Sequence, residues 1–95
     1  MSVEVAVPRI KARSEFGSII ARAGLTRAEV GSAAGLSTRT IDSLARPEHY
    51  GREGTTREST AWKIAHAFGR LTQRSAEAAF ALLFTEDDDI GAPPL

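Results

Sequence analysis

Residues 26–46 read TRAEVGSAAGLSTRTIDSLAR, and the order of small, polar and apolar residues in this stretch decides the fold. Thr26 precedes Glu29 by three positions, the spacing at which a hydroxyl and a carboxylate cap each other's backbone amides at a helix start. Val30, Ala33 and Ala34 then supply one small apolar face. Gly35 stops this helix, because a sharp corner needs a residue that adopts positive φ without steric cost. Leu36 follows as a buried plug. Ser37 opens a second helix with Ile41 and Leu44 on its apolar side and Thr38, Arg39, Thr40, Asp42 and Ser43 on the others. A short polar helix presented behind a Gly-containing turn suits the major groove of DNA. The same residues could make an ordinary corner in a helical bundle; turn, spacing and exposed polar side chains together favour DNA.

Outward from this motif the chain divides into a tail, five helices and a second tail. Residues 1–13 read as a flexible N-terminal arm, since Val3, Val5 and Val7 alternate ahead of Pro8, a pattern of extended or disordered chain. A first helix is expected from about Ser14 to Ala23, with Phe16, Ile19 and Ile20 inward and Gly24 ending it. A fourth is expected from about Ser59 to Phe68, with Trp62, Ile64, Ala65 and Phe68 on its apolar side and Gly69 closing it. The fifth begins at Thr72 or Ser75, is rich in Ala, and runs to Phe84. Residues 14–85 therefore form one all-α domain, a compact bundle of about five helices with no internal repeat. Residues 86–95 form an acidic, Pro-containing tail.

Composition sets the class. With 95 residues, 42% hydrophobic and 25% charged, the chain suits one small globular core. It has no cysteine, which fits a reducing cytosol and removes disulfides and thiolate metal sites. No apolar run suits a bilayer, and the start MSVEVAVPRIKAR lacks the order of a secretion signal, so a cytoplasmic location without membrane contact is expected. The formal net charge is zero, but its distribution is uneven. All 12 Lys and Arg precede residue 75, and setting aside Glu86, Asp87, Asp88 and Asp89 leaves eight of the 12 acids, so residues 1–85 carry +4. A basic body is what counterion release from phosphates requires. His49 and His66 stand far apart, and neither a metal-ligand spacing nor a Gly-rich phosphate loop is present. No catalysis, metal or cofactor is therefore expected.

The motif resembles the Cro/repressor (XRE-type) helix-turn-helix family. The matching features are Gly31 inside the first helix of the motif, Ala34-Gly35-Leu36 through its turn, and Ile41 with Leu44 in its second helix. The likeness extends more loosely over roughly residues 14–84 and implies a lambda-repressor-like bundle. Arg27 stands where the family usually places a Gln that braces the helix against the DNA backbone, and an Arg can also reach a phosphate. The base contacts expected from the second helix are Arg39, whose guanidinium can bond guanine O6 and N7 together, Thr38 at a base edge or thymine methyl, and Ser43 one turn on. Ser37 and Thr40 are expected at phosphates, and Asp42 either faces a cytosine amino group or pairs with a neighbouring Arg.

The segment ARPEHYGREGTTRES that follows is broken by Pro47, Gly51 and Gly54 and gathers Arg46, His49, Tyr50, Arg52 and Arg57. It is either a phosphate-contacting loop, with Arg46 and Arg52 the first choices, or a solvated one diluted by Glu48, Glu53 and Glu58. In the fifth helix, Ala76, Ala79, Phe80, Leu83 and Phe84 form one stripe and Ala78, Ala81 and Leu82 a second side. Such girth either packs within one copy or gives a dimer contact through Phe80, Leu83 and Phe84, and Val3, Val5 and Val7 offer a weaker one. The family likeness implies a homodimer on a palindromic operator in double-stranded DNA. The expected function is a sequence-specific transcriptional regulator, a repressor. The alternative is an antitoxin or other adaptor, its acidic tail binding a second protein and its DNA binding autoregulatory.

Overall fold

The structure, a computed structural model, describes residues 9–86. Five helices form: α1 Phe16–Arg22, α2 Arg27–Ala34, α3 Thr38–Ala45, α4 Glu58–Thr72 and α5 Ala76–Leu83. Three short strands, β1 Arg9–Ala12, β2 Thr55–Arg57 and β3 Phe84–Glu86, make an antiparallel sheet in the order β2-β1-β3. The fold is mostly helical but not all-α. Among the described residues no helix is long and apolar enough to cross a membrane.

The sheet corrects the expected N-terminal arm. Residues 9–12 are its central strand, with Ile10 paired to Thr56 on one side and to Glu86 on the other. Ile10 and Ala12 are buried while Arg9 and Lys11 are exposed, the two-residue alternation of a half-buried strand. Local sequence did not disclose this because both partner strands lie far along the chain. Val3, Val5 and Val7 fall outside the described residues. The fifth helix likewise stops at Leu83, and Phe84 takes an extended backbone at φ −128° and ψ 159°. That turn pairs Phe84 with Ala12 and sets its ring 5.6 Å from that of Phe16. The largest fully buried side chains are Phe16, Phe68, Phe84, Ile20, Ile41, Ile64, Leu83 and Val30. Each such burial contributes about 1.5–3 kcal/mol of gross stabilisation.

One helix corner occurs twice. At the α2–α3 corner, Gly35 adopts φ 72°, the Leu36 amide donates to Gly31 O at 2.8 Å, and Ser37 caps α3. At the α4–α5 corner, Gln73 adopts φ 61°, the Arg74 amide donates to Gly69 O at 2.7 Å, and Ser75 caps α5. In both, a buried helical glycine faces the two carbonyls that follow the left-handed residue. A Cβ at Gly31 would stand 3.0 Å from Leu36 O, and one at Gly69 would stand 2.7 Å from Arg74 O. The chain therefore holds a local structural repeat that reading for sequence repetition missed. It also explains why α4 continues through Gly69 to Thr72: this glycine permits close approach, and Gln73 makes the turn.

Candidate nucleic-acid interface

α3 is anchored from beneath and capped at its start. Ile41 and Leu44 hold it to the core at 0% and 4% exposure. The Thr40 amide donates to Ser37 Oγ at 3.2 Å, and the two hydroxyls lie 2.9 Å apart. α2 is fixed with the same economy: the Glu29 amide donates to Thr26 Oγ1 at 3.0 Å and the Thr26 amide donates to Glu29 Oε1 at 2.7 Å. This reciprocal cap satisfies amides that a helix start leaves without partners. The consequence is a capped corner from which Thr38 and Arg39 stand exposed.

Asp42 ties this corner together. Arg27 Nη1 donates to its Oδ1 at 2.9 Å from α2. Arg46 donates with Nε to Oδ1 at 3.2 Å and with Nη2 to Oδ2 at 2.7 Å. The Tyr50 hydroxyl, on the 3-10 turn Pro47–Tyr50, donates to Oδ2 at 2.6 Å. The Arg46 hydrogen bonds, then that of Tyr50, then the charges of Arg46 and Arg27 hold the Asp42 carboxyl well below the usual carboxylate range, against a partial burial that opposes them. The same contacts push the Arg46 guanidinium and the Tyr50 phenol up. Of the two readings of Asp42, pairing with arginine is the one realised. Two guanidinium groups on one carboxylate leave the cluster positive.

On its other side α3 borders an open cleft of about 430 Å³. Ser37, Arg39, Thr40 and Ser43 line it from the helix, and Arg9, Arg52, Arg57 and the Thr55 and Thr56 pair line it from the sheet and the preceding loop. No carboxylate among the described residues lines it. The first turn of α4 reaches it at Thr60; that helix start has no capping side chain, and Glu58 in the same turn offsets the positive end of the helix dipole.

The expected site residues thus separate. Thr38, Arg39, Thr40, Ser43, Ser37 and Arg52 share the surface around α3, although the Ser43 hydroxyl is turned to Thr40 O at 2.8 Å and Ser37 is occupied as a cap. Arg27 and Arg46 are held by Asp42 while keeping 36% and 46% of their side chains exposed. The dimer surface needs correction. Leu83 and Phe84 are 0% and 1% exposed, filling the protomer's own core and offering no surface to a second copy. Phe80 is half-buried and stacks on Trp62 with ring centroids 4.2 Å apart. Asp87, Asp88 and Asp89 of the acidic run lie outside the described residues.

Arg9 is the residue that reading the sequence missed. Its signal was the alternation of Arg9, Ile10, Lys11 and Ala12 just after Pro8, matched by the β-branched pair Thr55-Thr56 before Arg57. No protein-family model matches the chain, and no curated protein or solved structure matches it either.

Proposed function

We propose that this protein is a sequence-specific DNA-binding regulator that inserts α3 into the major groove, in the manner of the helix-turn-helix family its sequence resembles. The observation that carries the reading is the capped α2–α3 corner that presents Arg39 and Thr38 to solvent while Asp42, the helix's own acid, is neutralised by Arg27 and Arg46. Pairing the carboxylate in this way removes a negative charge that would otherwise repel the flanking phosphates. The lambda-repressor-like arrangement and the role as a repressor belong to the same proposal. So does a homodimer on a palindrome with half-sites about 34 Å apart. Its contact surface would include Phe80 beside Trp62 rather than Leu83 and Phe84.

The test begins with selection of binding duplexes from a randomised pool, followed by titration of the enriched duplex against a scrambled one. Enrichment of a defined sequence, with a preference that Arg39→Ala abolishes, supports the reading. A pool that emerges without sequence bias overturns it.

A further inference from the structure

Resting on the reading of α3 as a groove-binding helix, we propose that the cleft between α3 and the sheet seats the sugar-phosphate backbone of one DNA strand, with Arg9 and Arg57 binding its phosphates. The two residues are direct partners across β1 and β2. Side chains directly opposite each other in an antiparallel pair share a face, and like charges placed so repel. Among the described residues neither is in a salt bridge, so the sheet carries a paired positive charge that an anion between the two would relieve. Arg9 is also held in place. Its Nε donates to Thr55 Oγ1 at 3.3 Å, and its Nη2 donates to Thr55 Oγ1 at 3.1 Å and Thr55 O at 3.2 Å. Nη1 takes no part in these bonds, which leaves one edge of a fixed guanidinium for a ligand.

Position selects the anion. Arg9 and Arg57 line the same cleft as Arg39 and Ser43 of α3. A major groove is about 12 Å wide, so a helix lying in it has a phosphate strand along each flank. The cleft lies on one flank of α3, is open to solvent, and sets arginine, threonine and serine side chains beside Leu36 and Leu44, with no carboxylate among its described lining residues. β1 therefore serves both as the central strand of the sheet and as part of the DNA surface.

The experiment measures affinity for the duplex enriched by the wild-type protein across a salt series, for wild type and for Arg9→Gln/Arg57→Gln. Each phosphate contact contributes about 0.9 to the slope of log affinity against log salt. The expected result is a slope shallower by about 2 in the double variant, with the base preference unchanged. A second measurement needs no variant: single methylphosphonate replacements along the duplex backbone should weaken wild-type binding at positions flanking the α3 contact. Those same replacements should cost the double variant nothing. Equal slopes, or no position that distinguishes the two proteins, overturn the inference while leaving α3 as reader. Saturable amide shifts at Thr55–Arg57 with inorganic phosphate, together with equal slopes, would assign the cleft to a free anion and overturn it too. A wild type that binds no duplex removes the proposed function and this inference together.

Discussion

The Tyr50 hydroxyl lies 2.6 Å from Oδ2 of Asp42, and this bond closes a clasp that spans α2, α3 and the turn after α3. The Asp42 carboxylate joins all three elements, so its charge state affects how firmly α3 is held. Asp42→Asn should lower the Tm, because the amide offers one acceptor oxygen where the two carboxylate oxygens accept four hydrogen bonds. The pH dependence follows from the direction of its shift. The folded-state value lies below the unfolded value of about 3.9, so the contribution is fully present above that value and is lost as pH falls below it. The Tm difference between wild type and Asp42→Asn should be constant from neutral pH down to about 5 and shrink below about 4. A difference that stays constant into the acid range would show that the clasp does not depend on ionised Asp42.

The two buried corner glycines make opposite demands from an ordinary helical glycine. Replacing Gly by Ala in an open helix gains about 1 kcal/mol. Here the new methyl would meet backbone carbonyls, 3.0 Å away at Gly31 and 2.7 Å away at Gly69. Overpacking of this kind costs about 1–3 kcal/mol, which exceeds the gain. Both Gly31→Ala and Gly69→Ala should lower the unfolding midpoint in urea, the second by more. A raised midpoint for either would mean that the corner yields without cost.

Gln73 is the single non-glycine residue with positive φ among those described, at 61°, and it is exposed. Its counterpart at the α2–α3 corner is Gly35. A left-handed conformation costs an L-residue roughly 1–2 kcal/mol, and glycine returns roughly 0.5–1 kcal/mol of that through its freer unfolded chain. Gln73→Gly should therefore stabilise by up to about 1 kcal/mol, seen as a higher Tm with no change in DNA affinity. Gly35→Gln is the mirror experiment and should destabilise.

How legible this protein was depended on the distance over which each signal acts. The α2–α3 corner could be read because its cap, its left-handed glycine and its plug lie within a few residues of one another. The sheet could not, since Arg9 and Arg57 are adjacent only across a strand pair. Phe84 misled because its spacing from Phe80 fits a helix, whereas the core claims it as a strand residue packed on Phe16. Gly69 misled in a different way: sequence shows a glycine, and only the neighbouring carbonyls show that it serves contact rather than turning. The Asp42 alternatives both followed from its charge, and the presence of Arg46 four residues on was the local sign for the one realised.

The proposed reading role of Arg39 and the holding role of Tyr50 can be separated at one aromatic ring. The Arg39 guanidinium lies over the Tyr50 ring, 5.6 Å from its centroid, while the hydroxyl of the same residue serves Asp42. Arg39→Ala removes an exposed side chain and should leave the Tm nearly unchanged. It should also cost about 1–3 kcal/mol of discrimination at one base pair of the enriched duplex. Tyr50→Phe should do the reverse. It keeps the ring under Arg39 and the base preference but deletes one arm of the Asp42 clasp, lowering the Tm. Tyr50→Ala loses both and should show both effects. The measurements are thermal melting beside competition against duplexes altered one base pair at a time. If Tyr50→Phe relaxed base preference as far as Arg39→Ala, the hydroxyl and the ring would not have separate roles, and the Asp42 clasp itself would set the aim of Arg39.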